Sequence, residues 1–564
     1  MRMNTMLQRW LSSSVVDADT KAELIAVAEN EKEIISRFGS KLTFGTAGLR
    51  GVLGAGTNRM NIYVVRHATQ GLSELILKTG ADAAARGVVV GHDCRIMSRE
   101  FAVETCRVLT ANGIKAYLFD ELRPTPEVSF AIRELNCIAG INITASHNPK
   151  EYNGYKVYWE DGAQLSLEQA DTVFESICAD DIFDDVKVSS PEEMEANTVI
   201  LGKDFDEKFL SCVLDCIIDP DAIRSQKDMA IIFTPFHGTG YRLVPEALKR
   251  AGFENVTCVP EQMVLSGEFP TVASPNPENK EGFTIAMKLA NEKGADFIIG
   301  TDPDADRVGV VVRDKDGEFV ALSGNQTGVL LLDYILGARK NTGNLPANAA
   351  AVKSLVSTEM ATAVCEKYGV KLFNVLTGFK FIGEKIKEFE ASGDHTYVFG
   401  FEESYGYLSG TYARDKDAVA ASLLVAEMAA HYKQKGMTLA DALNSLYEEY
   451  GYYLDKTLSV TMHGFDGAEK TKALMTRLRT VRPDGFGGIG LKEVYDLNQG
   501  AMGLPKANVI YYRLVDGSVI IVRPSGTEPK VKIYVLVREQ CRACAEKKVE
   551  DLRSDFYSFA GIES

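Results

Sequence analysis

Short apolar runs alternate with longer amphipathic stretches along most of the chain, and this alternation predicts strands and helices in turn. Residues 87–93 (GVVVGHD), 115–120 (KAYLFD) and 137–146 (CIAGINITAS) have the pattern of buried strands, and residues 98–113 that of a helix ending at Gly113. The pattern restarts at 229–240, and again after a Pro/Asn-rich break at 343–349. Such repetition is typical of α/β layers, which place polar loops after their strands.

The last part of the chain has a different pattern. Residues 458–465, 508–526 and 530–537 have the apolar, β-branched character of antiparallel strands around turns, and a helix follows them. The sequence therefore predicts three similar α/β domains with mixed sheets and a C-terminal α+β domain. The predicted limits are 1–200, 201–322, 323–450 and 451–564.

Length and composition agree with several globular domains. The chain has 564 residues, 45% of them hydrophobic and 25% charged, which at roughly 150 residues per domain predicts three or four domains. No apolar run approaches the ~20 residues of a membrane span, and residues 1–17 lack the layout of a signal peptide, so we expect a cytoplasmic protein.

The net charge of −16 bears on the partners. A field of this sign repels nucleic acid and anionic membranes, so we expect neither as a partner. It repels a phosphorylated substrate too, and any phosphate site must therefore be a local cluster of basic side chains and backbone N–H groups.

Ten cysteines show no metal-binding or disulfide framework. Cys541 and Cys544 form a lone CxxC in a stretch that has the pattern of an exposed amphipathic helix. A zinc site requires a second pair or nearby histidines, so we interpret this spacing as chance.

Two loops contain residues suited to phosphoryl transfer. In TASHNPKEYNGYK (144–156), Ser146 is a candidate nucleophile, although taken alone a helix cap is the favoured interpretation, and His147 alone is more often structural than catalytic. In GTDPDADR (300–307), Asp302, Asp304 and Asp306 alternate, so in an extended segment their carboxylates would point the same way. Three such oxygens suit Mg²⁺, whereas the EF-hand alternative requires Gly and Glu where Arg307 and Arg313 stand.

Two further loops contain residues suited to holding a sugar phosphate. Glu402 and Ser404 of GFEESYG are candidates to bind neighbouring sugar hydroxyls, and a helix N-terminus is an equal alternative. In RPSGTEPK (523–530), an arginine, two hydroxyls and a glycine form the parts of a phosphate nest. These residues are Arg523, Ser525, Gly526 and Thr527.

Together the four loops resemble the signature of the α-D-phosphohexomutase superfamily. TASHNP resembles its phosphoserine loop, GTDPDADR its metal loop, FEES its sugar loop and RPSGTEP its phosphate loop, in the family's order and one per predicted domain. GTAGLRG (45–51) matches its N-terminal active-site turn. YNGYKVYWEDGAQ and TPFHGTG favour the branch of phosphoglucomutases and phosphopentomutases.

The resemblance implies roles for particular residues. Ser146 would carry the phosphoryl group and complete a Mg²⁺ site with the three aspartates, and His147 follows it as in the family. Arg50, Lys156 and Arg307 would surround the phosphoserine, and Lys416 of ARDKD would be an acid or base.

The implied reaction interconverts α-D-glucose 1-phosphate and glucose 6-phosphate, a small-molecule sugar phosphate pair, with glucose 1,6-bisphosphate as intermediate and activator. Phe401 and the tyrosines after the Glu pair depart from the family's pattern, which leaves mannose and pentose phosphates open. Two interpretations from other classes also stay open: a phosphatase with an aspartate nucleophile, and a catalytically silent sugar-phosphate sensor.

Overall fold

Three helices precede the first strand. The computed structural model describes residues 2–45, 48–462, 467–525 and 530–562. The first helices are α1 (Arg2–Ser12), α2 (Ala18–Val27) and α3 (Glu31–Phe38). They pack around the fully buried Trp10, whose ring meets Phe38, Tyr63 and Phe183 edge-on. This packing fastens the N-terminal helices to the first sheet layer.

The first sheet has six strands and contains the loop of Ser146. Its elements are β1 (Leu49–Val52), α4 (Ile62–Thr79), α5 (Ala81–Arg86), β2 (Val88–His92), α6 (Ser98–Ala111), β3 (Ala116–Phe119), α7 (Thr125–Glu134), β4 (Ala139–Ile143), β5 (Tyr152–Trp159), α8 (Leu167–Ala179), α9 (Pro191–Ala196) and β6 (Thr198–Leu201). The strand order is β1-β5-β4-β2-β3-β6. Strands β4, β2, β3 and β6 are parallel, β5 runs antiparallel to β4, and the edge strand β1 runs antiparallel to β5.

The second sheet has five strands and contains the aspartate loop. Its elements are α10 (Lys203–Leu214), α11 (Pro220–Ser225), β7 (Ile231–Thr234), α12 (Gly240–Ala251), β8 (Val256–Cys258), a 3₁₀ turn (Lys280–Phe283), α13 (Thr284–Lys293), β9 (Phe297–Thr301), β10 (Val308–Arg313) and β11 (Phe319–Ala321). The order is β11-β10-β9-β7-β8, and β9, β7 and β8 are parallel. The buried run FIIGT forms β9, which carries the chain directly into Asp302.

The third sheet has four strands and contains Glu402. Its elements are α14 (Gly324–Asn341), β12 (Ala349–Ser354), α15 (Met360–Tyr368), β13 (Lys371–Val375), α16 (Phe379–Ser392), β14 (Thr396–Glu402), β15 (Gly406–Leu408), α17 (Ala418–Gln434) and α18 (Leu439–Tyr450). The order is β13-β12-β14-β15, with β15 antiparallel to the others.

The fourth sheet is antiparallel throughout. Its elements are β16 (Tyr452–Thr461), α19 (Gly467–Thr480), β17 (Gly485–Phe486), β18 (Ile489–Asp496), a 3₁₀ turn (Leu497–Gln499), β19 (Ile510–Leu514), β20 (Val519–Pro524), β21 (Lys530–Glu539) and α20 (Arg542–Ala560). The order is β16-β21-β20-β19-β18-β17. Three mixed sheets with helices and one antiparallel sheet confirm the predicted fold class.

Buried apolar clusters connect the four sheets. One continuous core joins Val89 of the first sheet, Leu243 of α12, and Leu331 and Val425 of the third layer. A separate cluster joins Leu355 and its neighbours after β12 to the inner face of the fourth sheet. Strand β6 runs to Leu201, so it ends one residue past the predicted first limit. The four limits stay a prediction, because the cores cross them.

No helix among the described residues is long and apolar enough to cross a membrane.

Candidate active site

Ser146 lies in a strained loop directly after β4. Its φ is +52°, in the left-handed region that L-residues seldom adopt, and its backbone N–H donates to Thr144 Oγ1 at 2.8 Å. The hydroxyl is buried and donates to Asp302 Oδ2 at 2.8 Å, with His147 Nδ1 at 3.1 Å. A serine that merely capped a helix would bond to its own first turn, so this geometry favours a chemical role.

Arg95 supports the Ser146 loop through hydrogen bonds to its backbone, and it was not among the residues predicted from the sequence. Its guanidinium donates to the carbonyls of Pro149 and Tyr152 at 2.9 Å each and to that of Ser146 at 2.6 Å. It also donates to the carbonyl of Asn148. The only available signal was position, because Arg95 follows a buried strand as the predicted loops do.

Asp302, Asp304 and Asp306, which we call the aspartate triad, converge as the sequence predicted, but for a different reason. The segment is a tight turn with Ala305 at φ +50°, so the predicted extended alternation is wrong. All three side chains are buried, and one oxygen of each lies within 4.8 Å of the others. The backbone N–H groups of Asp306 and Arg307 donate to Asp302 Oδ1 at 3.0 and 2.9 Å.

Two lysines from different sheets reach the triad. Lys156 on β5 donates to Asp304 Oδ2 at 2.6 Å and to Asp306 Oδ2 at 2.9 Å. Lys416 lies 3.2 Å from the same Asp306 oxygen, and Asp415 Oδ1 lies 2.9 Å from its Nζ. Lys156 was expected around the phosphoserine and Lys416 as an acid or base, and the structure brings both to the aspartate triad.

The charges in this cluster shift each other's pKa values. Burial raises the pKa of Asp302 well above its usual range, and the carboxylates of Asp304 and Asp306 add to the rise. Burial alone would raise the pKa of Asp306 as well, but Lys156, Lys416 and Arg307 outweigh it and hold that pKa below its usual range. The charges of Lys156, Lys416 and Arg307 therefore stabilise the anion at Asp306, whereas burial and the neighbouring carboxylates disfavour the anion at Asp302.

A threonine of α7 joins the first and second sheets at the triad. Thr125 Oγ1 donates to Asp304 Oδ2 at 2.7 Å, and Thr125 N donates to the Asp304 carbonyl at 2.8 Å. Asn142 of β4 donates to that Thr125 hydroxyl at 2.8 Å. These contacts fix where the metal loop stands relative to Ser146, and the sequence offered no signal for Thr125.

The TPFHGTG loop packs directly on the triad's turn. A Cβ at Gly238 would meet Pro303 Cα at 2.4 Å, so only glycine fits at this position. The neighbouring Thr239 N–H donates to the Pro303 carbonyl at 2.8 Å. From the sequence, this segment only favoured one branch of the superfamily. In the structure it supports the aspartate loop.

The donor set fits a hard divalent cation. Asp304 Oδ1 and Asp306 Oδ1 are buried and have no hydrogen-bond partner in the part of the chain described here. Such oxygens would cost free energy unless an ion or water completes them. The triad could therefore bind a metal through carboxylate oxygens, the type of ligand that Mg²⁺ prefers.

The remaining basic residues predicted around Ser146 lie near it. Arg50 on β1 is exposed and donates to Asn148 Oδ1 at 3.0 Å in the same loop. Arg307 Nη1 contacts Glu278 Oε1 at 3.3 Å, and its Nε lies 3.8 Å from Asp306 Oδ1. Burial, then the positive Arg307 and Arg50, lower the pKa of His147 well below its usual range, so its ring is neutral.

The sugar loop follows β14 on the third sheet. Glu402 is buried and its Oε1 accepts from Gly378 N at 2.7 Å. Burial and the adjacent Glu403 raise the pKa of Glu402 to about 7. Glu403, in contrast, accepts from Ser354 Oγ at 2.9 Å and so supports the turn. Ser404 is half-buried in that turn.

The fourth loop is described only in part. Arg523 lies at the end of β20 and is half-buried. Burial and the charges of Glu403 and Glu402 raise the pKa of Tyr534, and the positive charge of Arg523 offsets part of this rise. Arg523 therefore lies on the side of the fourth sheet that faces the sugar loop. Ser525 N donates to Lys530 O at 2.7 Å. Gly526 and Thr527 lie outside the described residues.

Comparison with known proteins gives matches along most of the chain. Residues 41–182, 207–317 and 323–450 match α/β/α domains I, II and III of phosphoglucomutase/phosphomannomutase, and residues 475–549 match its C-terminal domain. Phosphoglucomutase of Staphylococcus aureus (strain USA300) is 38% identical over 524 residues, which cover 90% of this chain and 92% of that protein.

Solved structures have the same fold. A putative phosphomannomutase from Thermus thermophilus superposes with a TM-score of 0.68 at 23% identity, covering 91% of this chain and 99% of that one. The open form of parafusin, a phosphoglucomutase from Paramecium, superposes with a TM-score of 0.67 at 21% identity, covering 93% and 96%.

Proposed function

The chain belongs to the phosphoglucomutase/phosphomannomutase family, and on that premise we propose that it interconverts α-D-glucose 1-phosphate and glucose 6-phosphate. The observation that carries the proposal is the buried Ser146 hydroxyl, 2.8 Å from a carboxylate of the aspartate triad. A phosphoryl carrier and a cation site at this separation are the parts that transfer between phosphate esters requires. The names of the similar proteins support glucose as the sugar.

Ser146 would attack the phosphorus of a sugar bisphosphate and keep its phosphoryl group as a phosphoserine, or give it back to a free sugar hydroxyl. We propose that Ser146, Asp302, Asp304 and Asp306 hold Mg²⁺. The ion, when bound, would offset the negative charge of the phosphoryl oxygens. Arg95 keeps the serine in its left-handed conformation, so the hydroxyl stays aimed at the triad's side of the cleft.

Basic side chains would offset the charge that remains. A phosphoserine carries about −2, which together with three carboxylates exceeds the charge of one divalent ion by about three. Arg50, Lys156 and Arg307 would compensate it. Lys416, held between Asp306 and Asp415, adds a fourth cation near the reacting group and is our candidate acid or base.

His147 is neutral and its Nδ1 lies 3.1 Å from the Ser146 hydroxyl, so we propose that it orients this hydroxyl for attack.

The distal end of the substrate would lie between the third and fourth sheets. Glu402 and Ser404 would bind sugar hydroxyls, and Arg523, Ser525, Gly526 and Thr527 would hold the phosphate that is not transferred. Glucose 1,6-bisphosphate, formed in the first half of the reaction, would turn over so that either phosphate reaches Ser146. Its retention makes it both intermediate and activator.

The proposal extends to where the protein works and how it is divided. We place it in the cytoplasm, which agrees with ten free cysteines. The domains 1–200, 201–322, 323–450 and 451–564 would each contribute one of the four loops. The four family matches, which begin at residues 41, 207, 323 and 475, support this division.

The test combines a phosphorylation assay with a substrate panel. Active enzyme should carry a phosphoryl group on Ser146 by peptide mass analysis, and Ser146→Ala should abolish turnover while still binding glucose 6-phosphate. Ser190→Ala, which removes an exposed helix cap on α9, is the matched control and should keep full activity. Glucose phosphates should outperform mannose, ribose and glucosamine phosphates.

Three results would count against the proposal. Phosphate found on an aspartate would indicate a phosphatase instead. A preference for ribose or mannose phosphate would show that glucose phosphate is the wrong substrate, although the proposed mechanism would still apply. Binding of sugar phosphates without turnover, in enzyme supplied with Mg²⁺ and bisphosphate, would indicate a sensor.

A further inference from the structure

Two exposed cysteines stand at the junction between the last strand and the last helix. Strand β21 ends at Glu539, Cys541 is the N-cap of α20, and Cys544 is the third residue of that helix. From the sequence, both cysteines were expected inside one helix, with a spacing that arises by chance. The structure instead places Cys541 before the helix and Cys544 in its first turn, and a CxxC pair at a helix N-terminus is a setting that favours a cysteine thiolate.

The sulfur of Cys541 lies against the first turn of α20. Cys544 N donates to Cys541 Sγ at 3.2 Å, so this sulfur is next to the backbone of the residue that carries the second thiol. Cys541 precedes the helix in an extended conformation, with φ −150° and ψ 160°, so a backbone adjustment at this one residue can bring its Cβ to the distance of about 3.5–4.5 Å that a disulfide needs. The helix backbone does not have to unwind for the sulfurs to join.

The environment makes the two thiols unequal. The hydrogen bond from Cys544 lowers the pKa of Cys541 and raises that of Cys544. The positive end of the α20 dipole also favours a thiolate at the N-cap. Cys541 is thus suited to attack, and Cys544 to resolve what Cys541 has formed.

The chain contains its own comparison. Among the described cysteines only Cys178 is also exposed, and it lies in the last turn of α8, at the end of the helix where the dipole disfavours an anion. The other seven are buried or half-buried. A difference in reactivity between Cys541 and Cys178 therefore reports the local geometry rather than exposure.

We propose that Cys541 and Cys544 form a thiol–disulfide exchange site that a low-molecular-weight disulfide oxidises to an intramolecular disulfide. The Cys541 thiolate attacks one sulfur of the external disulfide, whose S–S bond breaks and releases one thiolate. Cys544 then loses its proton and attacks Cys541 Sγ, which releases the second thiolate. Two protein thiols are oxidised, one external disulfide is reduced, and the two released thiols take up the two protons. This site is independent of the proposed mutase reaction.

The first experiment equilibrates the full chain with mixtures of reduced and oxidised glutathione, followed by acid quenching and peptide mass analysis. With rising oxidised glutathione, the peptide containing both cysteines should become lighter by two hydrogens. Cys544→Ser should instead keep glutathione on Cys541, because the resolving thiol is gone. Cys178→Ser is the control and should leave the Cys541–Cys544 link unchanged.

The second experiment compares alkylation rates by iodoacetamide at pH 7. Cys541 should react at least about fivefold faster than Cys178, because more of it is thiolate. The proposal is overturned if glutathione remains on both cysteines without a link between them, or if oxidation joins two chains instead. Equal alkylation of Cys541 and Cys178 would also overturn it.

Discussion

Replacing Arg95 with methionine should uncouple the Ser146 loop from its support while leaving the phosphate-binding loops in place. Arg95 is 3% exposed, and its guanidinium donates to four backbone carbonyls between Ser146 and Tyr152. Its Nε also lies 3.3 Å from Asp93 Oδ2, an ion pair that is fully buried. Methionine keeps much of the side-chain length and removes every donor.

The size of the effect follows from these contacts. A hydrogen bond from a charged donor contributes about 1.5–3 kcal/mol, and the left-handed conformation of Ser146 costs about 1–3 kcal/mol. Water would replace part of the lost hydrogen bonding, so we expect the active conformation of the Ser146 loop to be destabilised by about 3 kcal/mol. At about 1.4 kcal/mol per tenfold change, this lowers kcat by about 100-fold.

The assay separates this effect from weaker binding. Because the described hydrogen bonds and ion pair of Arg95 go to the Ser146 loop and to Asp93, KM for glucose 1-phosphate should stay within about threefold of the parent value. Arg95→Lys, which keeps the charge and some of the donors, should lose about tenfold in kcat. Arg99→Met is the matched control, since Arg99 is exposed and donates to a single carbonyl, that of Phe119.

Two results would refute this reasoning about Arg95. One is a kcat within threefold of the parent in a folded Arg95→Met enzyme. The other is a rise in KM as large as the fall in kcat, which would mean that Arg95 acts on binding.

Three further predictions concern the metal, the distal phosphate and pH. Excess chelator should abolish turnover and Mg²⁺ should restore it, whereas Ca²⁺ should restore it poorly. An Asn substitution at any aspartate of the triad should lower kcat by at least about 100-fold. Full activity in excess chelator would contradict the assignment of a metal site. Arg523→Ala should raise KM by about 10- to 100-fold for both glucose 1-phosphate and glucose 6-phosphate, with partial rescue by added bisphosphate, and a loss in one direction only would exclude a shared phosphate site. The pKa of Glu402 is raised from 4.5 to about 7, so the folded state holds this proton more tightly than the unfolded state and stability falls as pH rises through that window. Glu402→Gln should therefore stabilise the protein by up to about 3 kcal/mol at pH 8 and little at pH 4, measured as Tm, and an equal shift at both values would show that the carboxyl does not titrate in this range.

The local sequence was enough to predict which loops contain the candidate site residues, because the relevant side chains of each loop are close together in the sequence. Ser146 follows a buried strand, and so do the aspartates, so each side chain was predicted to lie at the carboxyl end of its strand. The clustering of the three carboxylates could also be predicted locally, because they lie within five consecutive residues. The turn itself was predicted wrongly, because Ala305 adopts a left-handed conformation that no local residue type announces.

Tertiary structure alone decided which groups meet. Lys416 reaches Asp306 from 110 positions further along the chain, and Thr125 reaches Asp304 from the first sheet. These contacts depend on how the sheets are oriented by the core that Val89, Leu243 and Val425 share. The hydrophobic effect is non-directional, so the relative orientation of the sheets cannot be predicted from the sequence of any single segment. The sequence therefore determined the chemistry of each loop, whereas the packing of four sheets determined the distances between them.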